Sequence, residues 1–79
     1  MTVTGAQTSF SAVEHYDITA AELRVLSALA DGLADKEIGI LLGISRFTVS
    51  KHVSAILRKL QSSSRTKAAV KAIREGLVS

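Results

Sequence analysis

Asp35-Lys36-Glu37-Ile38-Gly39-Ile40-Leu41-Leu42-Gly43-Ile44-Ser45-Arg46-Phe47-Thr48-Val49-Ser50-Lys51-His52-Val53 is the stretch whose reading decides the fold. Ile38, Leu41 and Leu42 fall on the inward side of a short helix over 35–42, and Gly43, just past its end, supplies a residue able to take positive φ. Ser45 is an N-cap for a following helix over 46–60, in which Val49, Val53, Ile56, Leu57 and Leu60 form an apolar stripe at helical period. Joined by Leu42-Gly43-Ile44-Ser45, the two make a helix-turn-helix unit. Its tight glycine-containing turn crosses the helices steeply and leaves the second one half exposed.

The flanking sequence supplies what such a unit packs on. Ile18-Thr19-Ala20-Ala21-Glu22-Leu23 has the form of a capping box, with Thr19 as N-cap, Glu22 three residues on, and Ile18 and Leu23 placed as a hydrophobic staple. Leu23, Leu26, Leu29 and Ala30 continue a helix over about 19–31 that Asp31-Gly32 ends. After the break Gln61-Ser62-Ser63-Ser64, Ser64 caps a fourth helix over about 65–75, stopped by Gly76. The expected fold is therefore all-α, four helices in one domain over 17–79. Residues 1–16, rich in Thr, Ser, Ala and Gly without a sustained apolar period, are expected to form a flexible arm or the remnant of a linker.

Length and composition narrow the function. A chain of 79 residues holds one small domain, and at this size stability leans on close helix packing or on a partner that covers apolar surface. With no cysteine and two histidines there is no disulfide framework and no thiolate zinc site, so no metal and no cofactor are expected. No apolar run approaches the roughly 20 residues of a membrane span, and the first cation, Arg24, lies too late for a signal peptide, so a cytoplasmic protein is expected. No Ser/His/Asp set, carboxylate pair or phosphate loop stands at a usable spacing, so no enzyme and no small-molecule substrate are expected.

The net charge of +3 hides an asymmetry. Residues 1–43 hold Arg24 and Lys36 against six carboxylates, whereas residues 44–79 hold eight Lys and Arg against Glu75 alone. A one-sided positive field of this kind favours a polyanionic partner over a neutral metabolite. With the apolar stripe of the third helix turned inward, its opposite face carries Phe47, Ser50, Lys51, Ser54 and Arg58, with Ser45 and Arg46 at its N-terminus. Cations reach guanine acceptors or phosphates, serines fit close to base edges, and helix N-terminal amides bind phosphate, so this face suits duplex DNA. A plain helical bundle has the same periodicity but no reason to gather hydroxyls and cations there.

Several segments in order carry a resemblance: Ile18-Thr19 with Glu22; Val25-Leu26; Gly32-Leu33-Ala34-Asp35-Lys36-Glu37-Ile38; Leu42-Gly43-Ile44-Ser45; Thr48-Val49-Ser50-Lys51-His52-Val53; Ile56-Leu57-Arg58-Lys59-Leu60; and Ser64-Arg65-Thr66-Lys67-Ala68-Ala69. Together, over Ile18 to Leu77, they resemble the C-terminal DNA-binding domain of the LuxR/NarL/GerE family of bacterial transcription regulators. The resemblance implies a four-helix helix-turn-helix domain with a recognition helix and a fourth helix that often mediates dimerisation on paired half-sites. Carried over, Lys36, Ser45, Arg46 and Thr48 are phosphate contacts, joined by Arg58 on the same face, and Ser50, Lys51 and Ser54 face the bases. Arg65, in the family's Ser-Arg-Thr signature, is expected to be structural, linking helix ends by hydrogen bonds. The expected partners are double-stranded DNA, a second copy of the chain, and RNA polymerase.

The chain departs from the family at informative places. Ser50 stands where the family usually has lysine after Thr-Val, and Lys51 follows one position later, rotated by about 100° on the helix. Ala21 replaces the usual arginine before Glu22, Ser62 replaces an apolar residue, and Ala34 replaces a serine cap, which leaves Asp35 to cap one residue late. Ala69, Val70, Ile73 and Leu77 form a narrow apolar stripe on the fourth helix, expected to serve a dimer while part of it faces the domain's own core. His52 reads as a boundary residue of the buried stripe, His15 as part of the arm, and the Gly39/Gly43 spacing as close packing. The alternative from another class is a protein-interaction module of the same fold, pairing through its fourth helix with a related regulator.

Overall fold

The computed structural model describes residues 15–78. Among them the backbone forms α1 (Ala20–Ala30), α2 (Asp35–Leu42), α3 (Arg46–Leu60) and α4 (Arg65–Arg74), with no strand. The fold is all-α, and each helix end lies within one residue of its expected place. Of the expected arm, all but His15 and Tyr16 lie outside the described residues. Tyr16 is held to the domain: its hydroxyl donates to Glu75 at 2.7 Å and its ring lies 5.2 Å from the Lys71 ammonium.

Local hydrogen bonds start three of the helices. Thr19 Oγ1 accepts from the Glu22 amide at 3.1 Å and Glu22 Oε1 accepts from the Thr19 amide at 3.0 Å, which completes the capping box of α1. Ser45 accepts from the Thr48 amide at 3.0 Å, and Ser64 from the Lys67 amide at 3.1 Å. The start of α2 differs from expectation. Asp35 does not cap it but is its first helical residue, with its carboxylate bound by Arg65. The N-cap is Ala34, which has no side-chain acceptor, and Glu37 Oε1 accepts from the Ala34 amide at 2.7 Å instead.

The turn between α2 and α3 rests on two glycines. Gly43 adopts φ +72°, and the chain then folds back so that the Ile44 amide donates to the Gly39 carbonyl at 3.0 Å. Gly39 is buried, and a Cβ there would stand 2.7 Å from the Ile44 carbonyl oxygen. The missing side chain lets the turn close, and the two helix axes meet at 109°. This packing also corrects the expected position of Leu41. With Ile38 and Gly39 as the buried residues of α2, the inward side is rotated toward Gly39, and Leu41 turns outward at 63% exposure.

α3 is the central helix and packs against the other three. Val49, Ile56 and Leu60 are fully enclosed together with Val25 and Leu26 of α1 and Ile38 of α2, each such side chain contributing about 1.5–3 kcal/mol of burial. Ala68 and Ala72 let α4 approach closely. A charged clamp joins opposite ends of α1 and α3: the Lys59 ammonium donates to Glu22 Oε1 at 2.7 Å and to the Asp17 carbonyl at 2.9 Å. Burial alone would push the Glu22 carboxyl up, but the hydrogen bonds from Lys59 and the Thr19 amide, with the Lys59 charge, hold it below its ordinary value. Among the described residues no buried side-chain polar atom lacks a partner, and no single helix is long and apolar enough to cross a membrane.

Candidate nucleic-acid interface

At 100° per residue, Phe47, Ser50, Lys51, Ser54 and Arg58 fall within an arc of about 100° on α3, opposite Val49, Val53, Ile56 and Leu60. All five are exposed, as is Arg46 in the first turn. The whole of α3 contains no Asp or Glu, so this face carries two cations, Lys51 and Arg58, and two serine hydroxyls, with Arg46 at its N-terminal edge and no carboxylate of its own helix to neutralise them. The base-facing candidates Ser50, Lys51 and Ser54 are thus brought to one surface, with Arg58 two turns beyond Lys51.

The N-terminal end of α3 adds a second favourable element. Its first turn carries no acidic residue, and its amides and dipole favour an anion. Ser45 Oγ accepts from the Thr48 amide and donates to Thr48 Oγ1, both at 3.0 Å. Thr48 therefore accepts within the cap and keeps its own O–H to donate outward. Lys36 is exposed in the first turn of α2. With the exposed Arg46 and Arg58, these are the residues assigned to phosphates.

The charge count from sequence overstated what is available to a ligand. Lys59 is committed to Glu22 and Asp17, and Lys71 donates to the Leu60 carbonyl at 2.8 Å. Arg65 donates to Asp35 and to the Leu33 carbonyl at 3.1 Å, linking helix ends as the resemblance implied. The cations left exposed in the second half are Arg46, Lys51, Arg58, Lys67 and Arg74, of which the first three are on α3.

One relationship escaped the sequence reading. The Lys51 ammonium lies 5.5 Å from the centroid of the Phe47 ring, a cation–π pair on the exposed face. The signal was present as an aromatic and a lysine four residues apart on one helix face. His52 is half-buried at the border between the two faces, as its spacing implied.

On α4 the apolar stripe divides. Val70 and Ile73 are exposed at 43% and 52%, and Ala69 is half-buried. Leu77 is enclosed at 6%, because the chain reverses at Gly76 (φ +72°) and the Leu77 amide donates to the Ala72 carbonyl at 2.8 Å, which turns the side chain into the core. The outward part of the stripe is Val70 and Ile73, bordering a shallow groove with Leu29, Leu33 and Ala69.

Comparison with known proteins covers the same span. Residues 17–72 match the profile of the family described as bacterial regulatory proteins, luxR family. The chain is 46% identical over 68 residues to the transcriptional regulatory protein LiaR of Bacillus subtilis (strain 168), a match covering 86% of this chain and 32% of LiaR. It is 45% identical over 53 residues to the nitrate/nitrite response regulator protein NarP of Escherichia coli (strain K12), covering 67% of this chain and 25% of NarP. The chain thus spans about a third or less of the length of these curated relatives. The solved structure of the transcription factor GerE superposes with a TM-score of 0.71 at 34% identity, covering 77% of this chain and 91% of that one.

Proposed function

Because the chain belongs to the luxR family of bacterial regulatory proteins, we propose that it binds double-stranded DNA sequence-specifically, with α3 in the major groove. The observation that carries this is the exposed face of α3, where Lys51 and Arg58 stand with Ser50 and Ser54, with Arg46 exposed in the first turn at its edge and no carboxylate on the helix. Ser50, Lys51 and Ser54 address base edges, while Lys36, Ser45, Arg46, Thr48 and Arg58 address phosphates. Val70 and Ile73 pair two copies along α4 with Ala69 at the margin, setting two α3 helices about 34 Å apart in successive major grooves. The relatives' names as transcriptional regulators extend the proposal to a regulator of transcription, with RNA polymerase as the machine it influences. The domain acts by binding, without catalysis, in the cytoplasm where the bacterial chromosome lies.

The exposed Val70 and Ile73 also suit an interaction module that pairs with a related regulator without touching DNA. A salt titration of duplex binding separates the two. With Lys36, Arg46 and Arg58 each neutralising a phosphate, log K falls with log salt at a slope of about −2.7 per domain between about 50 and 200 mM. A flat response, or no retention of duplex, sinks the DNA reading in favour of the module.

A further inference from the structure

We propose that Phe47 is a specificity-determining residue that reads the 5-methyl group of a pyrimidine, thymine in ordinary DNA, beside the base that Lys51 reaches. This rests on the duplex-binding reading above and adds to it a residue and a chemical group. Phe47 is 72% exposed in the first turn of α3, on the opposite side from the buried stripe, so its ring does not serve the core. It lies among Ser50, Lys51, Ser54 and Arg58, all of them polar and exposed. Its ring is attended by the Lys51 ammonium at 5.5 Å.

The edges of the major groove present donors, acceptors and one apolar group, the C5-methyl of thymine, which phenylalanine reads by contact. A protein surface that covered Phe47 would have to enclose Lys51 and two serines beside it and bring its own counter-charge. The groove offers the methyl to the ring and guanine O6 and N7 to the ammonium within one surface. Four residues advance about 6 Å along the helix, against about 3.4 Å per base step, so the two side chains meet bases one or two steps apart. The cation–π pair keeps the ammonium beside the ring and makes the two a unit. The preferred element is a thymine within two steps of a guanine, and 5-methylcytosine, which carries the same methyl, substitutes for the thymine as a target of the ring.

The test begins with duplexes selected from a random pool by the wild-type protein. Each thymine in the selected duplex is then replaced by deoxyuridine, which removes the methyl and leaves pairing and the O4 acceptor unchanged. One thymine per half-site is expected to show roughly fourfold weaker binding on demethylation, the equivalent of one buried methyl-sized group. The effect is expected to vanish in Phe47→Ser and to persist in Phe47→Leu, while the guanine preference next to it relaxes in both. Circular dichroism of each variant reports that α3 is intact. Duplex binding that changes by less than about twofold at every thymine, or that is equally methyl-sensitive in Phe47→Ser, overturns the inference and leaves DNA binding standing. Failure to retain any duplex overturns both.

Discussion

Arg65, in the first turn of α4, donates one guanidinium nitrogen to the carboxylate of Asp35, the first residue of α2, and another to the carbonyl of Leu33 at 3.1 Å. One side chain thereby fixes the entry into the helix-turn-helix unit, where Ala34 has no side-chain cap to offer. Arg65→Ala is expected to cost about 1–2 kcal/mol, at the low end for a charged hydrogen-bonding group because the pair is partly exposed. Asp35→Ala should cost less, and the double variant less than the two losses added. Urea unfolding followed by circular dichroism measures the cycle, and strictly additive losses would show that the pair contributes nothing as a pair.

Gly39 is expected to tolerate no side chain. In Gly39→Ala the new Cβ meets the Ile44 carbonyl at 2.7 Å, a backbone atom that yields only if the turn opens, so about 1–3 kcal/mol is lost despite alanine's better helix propensity. Because the turn sets the 109° crossing, duplex affinity should fall as well. Gly32→Ala is the control: its site is open but held at φ +88°, so it should lose about 1–2 kcal/mol from backbone strain with little change in DNA affinity. Equal affinity of Gly39→Ala and wild type for a selected duplex would separate the turn from the reading face.

Acid should weaken the fold through Glu22. Its carboxyl is held below the ordinary value of 4.5 in the folded chain, so the ionised form is favoured by folding. The resulting stability is present above the unfolded value and is lost as pH falls through the lowered folded one. Glu22→Gln should melt lower than wild type at neutral pH and lose less on acidification. Thermal melts across that window in both proteins test this, and parallel curves would assign the acid lability to other carboxylates.

Lys51 and Arg46 are expected to separate specificity from affinity. Lys51→Ala should cost about 1–3 kcal/mol on a selected duplex and relax base preference, whereas Arg46→Ala should weaken selected and random duplexes alike. Competition binding with both DNAs reads the difference. Identical losses in the two variants on both DNAs would withdraw base readout from Lys51.

Pairing along α4 predicts a selective defect. Val70→Lys places a charge on the exposed part of the apolar stripe and should leave binding to one half-site unchanged while reducing the advantage of two correctly spaced half-sites. Titrations on single and paired sites, with a check that the variant unfolds at the wild-type midpoint, decide it. Equal affinity per half-site for both proteins on both DNAs would remove the dimer from the proposal.

What the sequence alone determined was set by neighbours in the chain. The caps Thr19, Ser45 and Ser64 each bond a backbone amide three residues on, the period of the apolar residues selects one face of each helix, and Gly43 takes the left-handed conformation that a bulkier residue resists. Helix ends, the helix-turn-helix unit and the polar face of α3 were legible for that reason. Tertiary structure decided what depends on which faces meet. The Asp35 carboxylate could have capped α2, but Arg65, thirty residues away, takes it. Leu41 turned outward because Gly39 had to lie against Ile44, and Leu77 turned inward because the chain reversed at Gly76. Of the cations that the second half supplies, Lys59 and Lys71 were withdrawn by Glu22 and the Leu60 carbonyl, groups 37 and 11 residues distant. Hydrophobic period specifies that a helix has an inner side but not which polar group of another helix will stand at its edge; that is settled only when the core closes and each buried or half-buried charge must find a partner.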